Sequence, residues 1–236
     1  MPRKLVAFVA IAVLLSALFV RLGFWQLSRL DERRAFNAAR AQPLALPEIA
    51  FDSLRDRVPW RRVHVDGTPD FDHEIALSGR SRNGSPGVHV VTPLRRAGSD
   101  TAVLVIRGWV YAPDAATADL SRFREDLRGV RGYTDTIPGG TFTPDASRPR
   151  VTRRLTAGAV AALIPYPVHP VLVVAQDSAP PSAPARLPLP ELSDGSHLGY
   201  AIQWFAFALT ALGGAGIVIH RARMRRDAGS TAAREG

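Results

Sequence analysis

Chemistry in this chain has to come from histidines, hydroxyls and carboxylates, because it has no cysteine and its methionines are Met1 and Met224. Thiolate metal sites, redox pairs, cysteine nucleophiles and thioether copper sites are thereby excluded. Among the six histidines, His197 stands apart. It opens the run Ser196-His197-Leu198-Gly199-Tyr200-Ala201-Ile202-Gln203-Trp204. On a helix, His197, Tyr200, Ala201, Trp204, Ala208 and Ala211 share one face. An imidazole and two aromatics beside small residues suit two roles. One supplies an axial nitrogen to the metal of a flat apolar ring; the other anchors a membrane helix at its interface. His64 and His89 fall in strand-like segments, His169 sits between Pro167 and Pro170, and His220 borders a basic cluster. His73 belongs to Asp70-Phe71-Asp72-His73-Glu74. That cluster reads as a hairpin turn, which favours Asp, ahead of a metal site.

Enzyme signatures are missing. There is no Gly-x-Ser-x-Gly elbow, Gly-rich phosphate loop, His-Glu-x-x-His or calcium loop. The reading is a protein that is not an enzyme. A membrane-tethered hydrolase is the catalytic alternative, and the absent nucleophile motif and absent paired carboxylates count against it.

Two apolar spans bracket the chain. The first covers 5–27: Leu5–Val20 is unbroken, Arg21 interrupts, and the pattern resumes to Leu27. At ~1.5 Å per residue its first part covers ~24 Å, a little short of a ~30 Å hydrocarbon core. Arg21, near a helix end, can extend its stem to the headgroups, and Trp25 suits the interfacial belt. A cleaved leader is the rival reading, disfavoured because no small-x-small site follows Val20. The second span, 197–219, is free of charged side chains and runs into His220-Arg221-Ala222-Arg223-Met224-Arg225-Arg226. Glu191 and Asp194 flank its other end, so the positive-inside bias places the C-terminus in the cytoplasm. Two crossings then put both termini there, with a short segment over 1–4 and a basic tail over 220–236. The middle is extracytoplasmic. Nothing ahead of the first span reads as an organellar transit peptide, so the expected location is a bacterial inner (plasma) membrane. The net charge of +9 concentrates at these flanks. It reads as orientation and contact with membrane lipids, not as a nucleic-acid footprint.

Between the spans, 28–177 reads as one β-rich domain and 178–196 as an extended Pro/Ala-rich linker. Arg29–Arg40 extends the first helix until Pro43 and Pro47 end it. Strand-like segments follow at Trp60–Val65, His73–Leu77, Val88–Leu94, Ala102–Val110, Gly129–Ile137 and Val171–Ala175. Ala102–Val110 is long and apolar, hence central. Thr156–Leu163 reads as a short helix ended by Pro165, and Asp114–Arg128 has room for another. The expected fold class is an α+β membrane protein. Two transmembrane helices flank a mainly antiparallel β domain, open or closed into a small barrel, with one or two short helices. Ala206, Thr210 and Gly214, with Ala12 and Ser16, are expected to pack the spans together through small side chains.

Together these residues resemble the SURF1 family, membrane assembly factors of haem–copper cytochrome c oxidase. Gly23-Phe24-Trp25-Gln26 is similar to the family's Gly-x-Trp-Gln at the outer end of the first helix. Trp60-Arg61-Arg62-Val63 leading to Gly67-Thr68-Pro69-Asp70 resembles its Arg-Val-x-Val-x-Gly-x-x-Asp strand and turn. Asn83–Gly87 with Thr92-Pro93-Leu94 resembles its Gly-x-x-Gly…Thr-Pro-Leu block, and Val105–Val110 its Val-Asn-Arg-Gly-Trp-Val. His197–Ala201 with Gln203-Trp204-Phe205 is similar to His-x-x-Tyr-Ala-x-Gln-Trp. Ile106 replaces the usual Asn, Tyr111-Ala112-Pro113 replaces the commoner Val-Pro, and 113–129 matches poorly.

The resemblance implies a chaperone role in oxidase assembly, with haem a as cofactor. Cytochrome c oxidase subunit I, haem a synthase and membrane lipids are the implied partners. It makes His197 the axial ligand of haem iron, with Trp25, Tyr200 and Trp204 lining the pocket. Arg107 and Arg80 would meet the haem propionates. Arg107-Gly108-Trp109 has a second reading, a strand end that fixes the domain against the headgroups. The functional alternative is a membrane-anchored extracytoplasmic scaffold that binds the oxidase without a cofactor.

Overall fold

The described residues are helical at both ends, over lengths that exceed the apolar spans. The computed structural model describes residues 3–232, with side chains to 225. The expected segment 1–4 and the tail 220–236 therefore lie partly outside the described residues. Helix α1 is Arg3–Ala45 and helix α3 is His197–Ala232. Each contains a stretch long and apolar enough to cross a membrane. Past Leu27, α1 continues through a run rich in Ala, Arg and Leu, all good helix formers. Pro43 lies inside its last turn. Residues up to Ala38 and from Leu192 onward form one unit; Ala39–Glu191 form a second.

In the first unit α1 buries Ala12, Ser16, Gly23, Leu30 and Asn37, and α3 buries Ala201, Ala208 and Ala215. From Ser16 to Asn37, and from Ala201 to Ala215, the buried positions recur every seven residues. That is the seam of two helices crossing at a shallow left-handed angle. Small residues let the backbones approach: Ser16 Oγ donates to Ala208 O at 3.1 Å. A Cβ on Gly23 would lie 2.6 Å from Phe205 Cε1. Ala12 and Ser16 thus pack as expected, but Ala206, Thr210 and Gly214 do not; all three are exposed. Their four-residue row lies off the seam, and Thr210 Oγ1 donates within its own helix to Ala206 O at 2.9 Å.

The second unit is a nine-stranded sheet. Its strands are β1 (Ile49–Ala50), β2 (Arg62–Val65), β3 (Thr68–Pro69), β4 (Ile75–Arg82), β5 (Ser85–Arg95), β6 (Val103–Tyr111), β7 (Val130–Thr136), β8 (Val151–Thr152) and β9 (Val171–Ala175). The order is β1-β2-β7-β9-β6-β5-β4-β8, with β3 paired to β5. The expectation of a mainly antiparallel sheet is refined here: five of the eight strand pairings are antiparallel and three are parallel. The sheet is mixed: β1 runs parallel to β2, β4 to β8 and β6 to β9. The barrel alternative is also corrected, because the path ends at two-residue strands, β1 and β8, and does not close. The physical reason is the long return after β6. Residues 112–170 carry β7, β8 and the short helix α2 (Ala157–Leu163), ample length for the crossover a parallel pair requires. It lets β9 enter between β6 and β7, parallel to the first and antiparallel to the second.

Strand β9 is buried at every position. Val171, Val173 and Ala175 join one core with Val63, Val65, Val103 and Val105. Leu172 and Val174 join the other with Ile75, Leu77, Leu104, Val160 and Leu163. Burial on both faces is why this strand reads as an unbroken apolar run. Helix α2 covers the second face and is capped by Thr156, whose Oγ1 accepts from Ala159 N at 3.2 Å. Strand β4 continues beyond Ser78-Gly79, the expected end, through a bulge between Leu77 and Arg80; Gly79 takes φ 69° there, a conformation glycine adopts freely. Within 114–128 the helical segment is a single 3-10 turn, Leu120–Phe123. Ala185, inside the Pro/Ala-rich segment, bridges to Trp109 of β6, so this segment adheres to the sheet instead of hanging free.

Candidate functional site

His197 is the first residue of α3. The chain entering it is tied to α1 by Asn37 Nδ2 and Arg33 Nε, both donating to Ser193 O at 3.1 Å, and by an Arg34–Asp194 ion pair of 2.9 Å. His197 Nδ1 lies 2.9 Å from Gln26 Oε1. An amide oxygen only accepts, so Nδ1 carries the proton of this contact, and in the neutral ring Nε2 is the nitrogen with the lone pair. A histidine held through one nitrogen presents the other, in fixed orientation, to a metal.

The other candidate residues of the hairpin divide into two groups. Trp204 is committed: its ring stacks on Phe19 at 5.7 Å and meets Phe207 edge-on at 5.9 Å. Tyr200 and Trp25 are open, 49% and 51% exposed, and Arg29 sits 5.8 Å over the Trp25 ring. The small members of the His197 face, Ala201 and Ala208, are buried in the seam with α1. That part of the stripe packs helix on helix and leaves no slot for a planar ring between them. Gln26 is the residue the sequence reading missed. It was visible only as the last letter of Gly-x-Trp-Gln, 171 positions from its partner.

Arg107 lies in the other unit, on β6, and its side chain is wholly buried. Nη2 pairs with Glu74 Oε1 at 2.9 Å and Nη1 with Glu125 Oε1 at 3.4 Å. Nη1 also donates to Phe123 O at 2.7 Å. Glu125 is shared with Arg186 at 2.9 Å, and Glu74 also accepts from the Thr92 hydroxyl. Burial pushes the Glu74 carboxyl up against the opposing pull of Arg107, and burial pushes the Arg107 guanidinium down. These charges are buried in alternation, so each is partnered. Arg107 therefore clasps loop 114–128 and the 178–190 segment to the sheet. Sequence could not show this, because Glu125 lies where the chain departs from the family pattern.

Asp70 is likewise committed. Its carboxylate accepts from His73 Nδ1 at 2.8 Å, Tyr166 Oη at 2.6 Å and Asp72 N at 3.2 Å. Burial opposes its ionisation, yet the Tyr166 and His73 hydrogen bonds hold its carboxyl below the usual range. It caps the 3-10 turn Phe71–His73. Among the described residues no three metal-ligating side chains converge.

Comparison with known proteins agrees with the motif reading. A family model described as the SURF1 family matches residues 13–209. A SURF1-like protein of Rickettsia felis is 35% identical over 111 residues, 46% of each chain. A SURF1-like protein of Monosiga brevicollis is 26% identical over 214 residues, 81% of this chain and 79% of its own. The yeast cytochrome oxidase assembly protein SHY1 is 29% identical over 103 residues, 40% of this chain and 26% of its own. The matches to the Rickettsia felis and yeast relatives span less than half the length of those proteins. With the family model running from the first helix into the last, the chain belongs to the SURF1 family.

Proposed function

We propose that this chain assists the assembly of cytochrome c oxidase by holding haem a through His197 for insertion into subunit I at the outer face of the inner membrane. The observation that carries the reading is the His197 Nδ1–H bond to Gln26 Oε1. It joins the two sequence blocks that lie at the same end of the helix pair and, in the neutral ring, leaves Nε2 as the nitrogen with the lone pair. Haem a, when bound, supplies an iron that takes such an axial nitrogen. Tyr200 and Trp25, with half their surface open, offer apolar area beside that ligand. Trp204 holds the helices together, and Arg107 holds the β unit together, so neither is assigned to the haem. The name of the yeast relative supports the oxidase as partner. In this reading the hairpin crosses the bilayer twice, both termini are cytoplasmic, the β unit lies outside, and the chain performs no catalysis.

A second reading is favoured by the buried Ala201–Ala208 seam: the hairpin is only an anchor and the chain a scaffold without cofactor. Complementation separates the two. In a strain deleted for this gene, wild type restores oxidase content. If His197→Ala fails to restore it while accumulating normally in the membrane, the haem reading stands. Full restoration by His197→Ala leaves the scaffold.

A further inference from the structure

One face of the β4–β5–β6 sheet holds two hydrogen-bond donors without acceptors, one from an arginine and one from a tryptophan. Arg80 pairs with Gly87 across β4 and β5, and His89 pairs with Trp109 across β5 and β6. Residues 87 and 89 point to the same side of their strand, so Arg80 and Trp109 share that side. The Trp109 indole lies over Gly87, where a Cβ would overlap its Nε1. The Arg153 guanidinium sits beside Gly79, within 4 Å of where its Cβ would stand. Arg80 Nη2 donates to the Arg153 carbonyl at 3.3 Å, which draws the two guanidinium-bearing residues together.

Two of these donors are shielded from solvent and unpartnered: Arg80 Nε and Trp109 Nε1. Among the described residues, neither Arg80 nor Arg153 has a carboxylate within ion-pair distance, although seven acidic side chains of this unit are paired. Buried donors left unpaired are rare and call for a reason. Adjacent like charges raise the cost further: burial, then Arg153, pulls the Arg80 guanidinium down. His89 adds no further positive charge, since burial, then Arg80, pushes its pKa down to about 4.

We propose that Arg80, Arg153 and Trp109 form a binding site for a phosphate oxyanion, presented free or as a lipid headgroup. The two guanidinium groups and the indole N–H come from three different segments: β4, the chain after β8, and β6. That arrangement suits a tetrahedral anion better than a planar carboxylate. The charge of the pair matches a phosphate dianion, or one diester with its remaining field screened by water.

The test uses the full chain in a phosphate-free maltoside detergent. One arm titrates inorganic phosphate by calorimetry. The other adds phosphatidylglycerol to the micelles and follows tryptophan fluorescence, with diacylglycerol, a lipid without phosphate, as control. Saturable, one-to-one binding in the first arm alone assigns a free phosphate; in the second alone, a lipid headgroup; in both, either source. In whichever arm responds, Arg80→Gln weakens binding at least about tenfold, as does Arg153→Gln, whose side chain is exposed and whose folding is safe. Trp109→Phe, which keeps the ring and removes the N–H, weakens it roughly tenfold. No saturable binding in either arm, equal binding of both lipids with no phosphate response, or affinity unchanged in Arg153→Gln overturns the proposal.

Discussion

Replacing Arg107 with Met tests whether that residue holds the fold or serves a ligand. The substitution keeps most of the apolar stem and removes the charge. Glu125 retains Arg186, at 2.9 Å from Nη1 to Oε1 and 2.9 Å from Nη2 to Oε2. Glu74 is the casualty: it is 5% exposed and keeps only the Thr92 hydroxyl as a direct side-chain partner. Breaking a buried pair from one side costs about 3–5 kcal/mol, because the remaining charge stays buried or must take up a proton. For a unit of this size about 1 kcal/mol moves Tm by roughly 2–4 °C, so Tm should fall by roughly 6–20 °C. The assay is thermal unfolding of the full chain in detergent, read by fluorescence of Trp60 and Trp109 in the sheet unit. Adding Glu74→Gln to Arg107→Met should recover at least half of the loss, since the penalty lies in the stranded carboxylate. A Tm within about 2 °C of wild type, accompanied by loss of a bound ligand, would refute the structural assignment.

Further outcomes follow from the same geometry. His89 is held neutral, with its pKa pushed down to about 4, while an unfolded histidine titrates near ~6.5. The unfolded chain therefore takes up the proton first, and stability is lost as pH falls from ~6.5 through about 4. In His89→Leu the fall in Tm over this range should be several degrees shallower, which melts at stepped pH will show. Ala208→Leu, on the seam, should widen spin-label distances between the helices by an ångström or more. Gly214→Leu, with nothing within 4 Å of its Cβ position, should leave them unchanged. Thr156→Ala removes the cap of α2 and should lower stability by about 1 kcal/mol in denaturant unfolding.

The sequence displays local features well and long-range ones poorly. The two apolar helices, the short helix α2 and the five-residue run of β9 follow from composition and spacing within one element. Strands β1, β3 and β8 are two residues each, too short for an alternating pattern to register. The mixed topology depends on where β9 inserts, a choice made by packing across a 59-residue connection (112–170) and not by any local signal. The helix seam was misplaced because small residues recur at four-residue spacing on one face of α3 and at seven on another. Only contact with Ser16 and Gly23 decides between them. The candidate ligand His197 was legible as an oddity at the start of a span. Its partner Gln26 was not, because polar residues at helix ends are common and only the fold brings this pair to 2.9 Å. Arg107 was legible as a notable arginine, but its role turned on Glu74 and Glu125, which no spacing connects.

The most direct measurement is the visible spectrum of the full chain, co-expressed with a source of haem a and purified in detergent. The account predicts a Soret band in wild type. It predicts loss of that band in His197→Ala, and a weakened band in Gln26→Leu, which frees the imidazole from its fixed tautomer. A colourless wild type, or His197→Ala carrying the same haem as wild type, would contradict it.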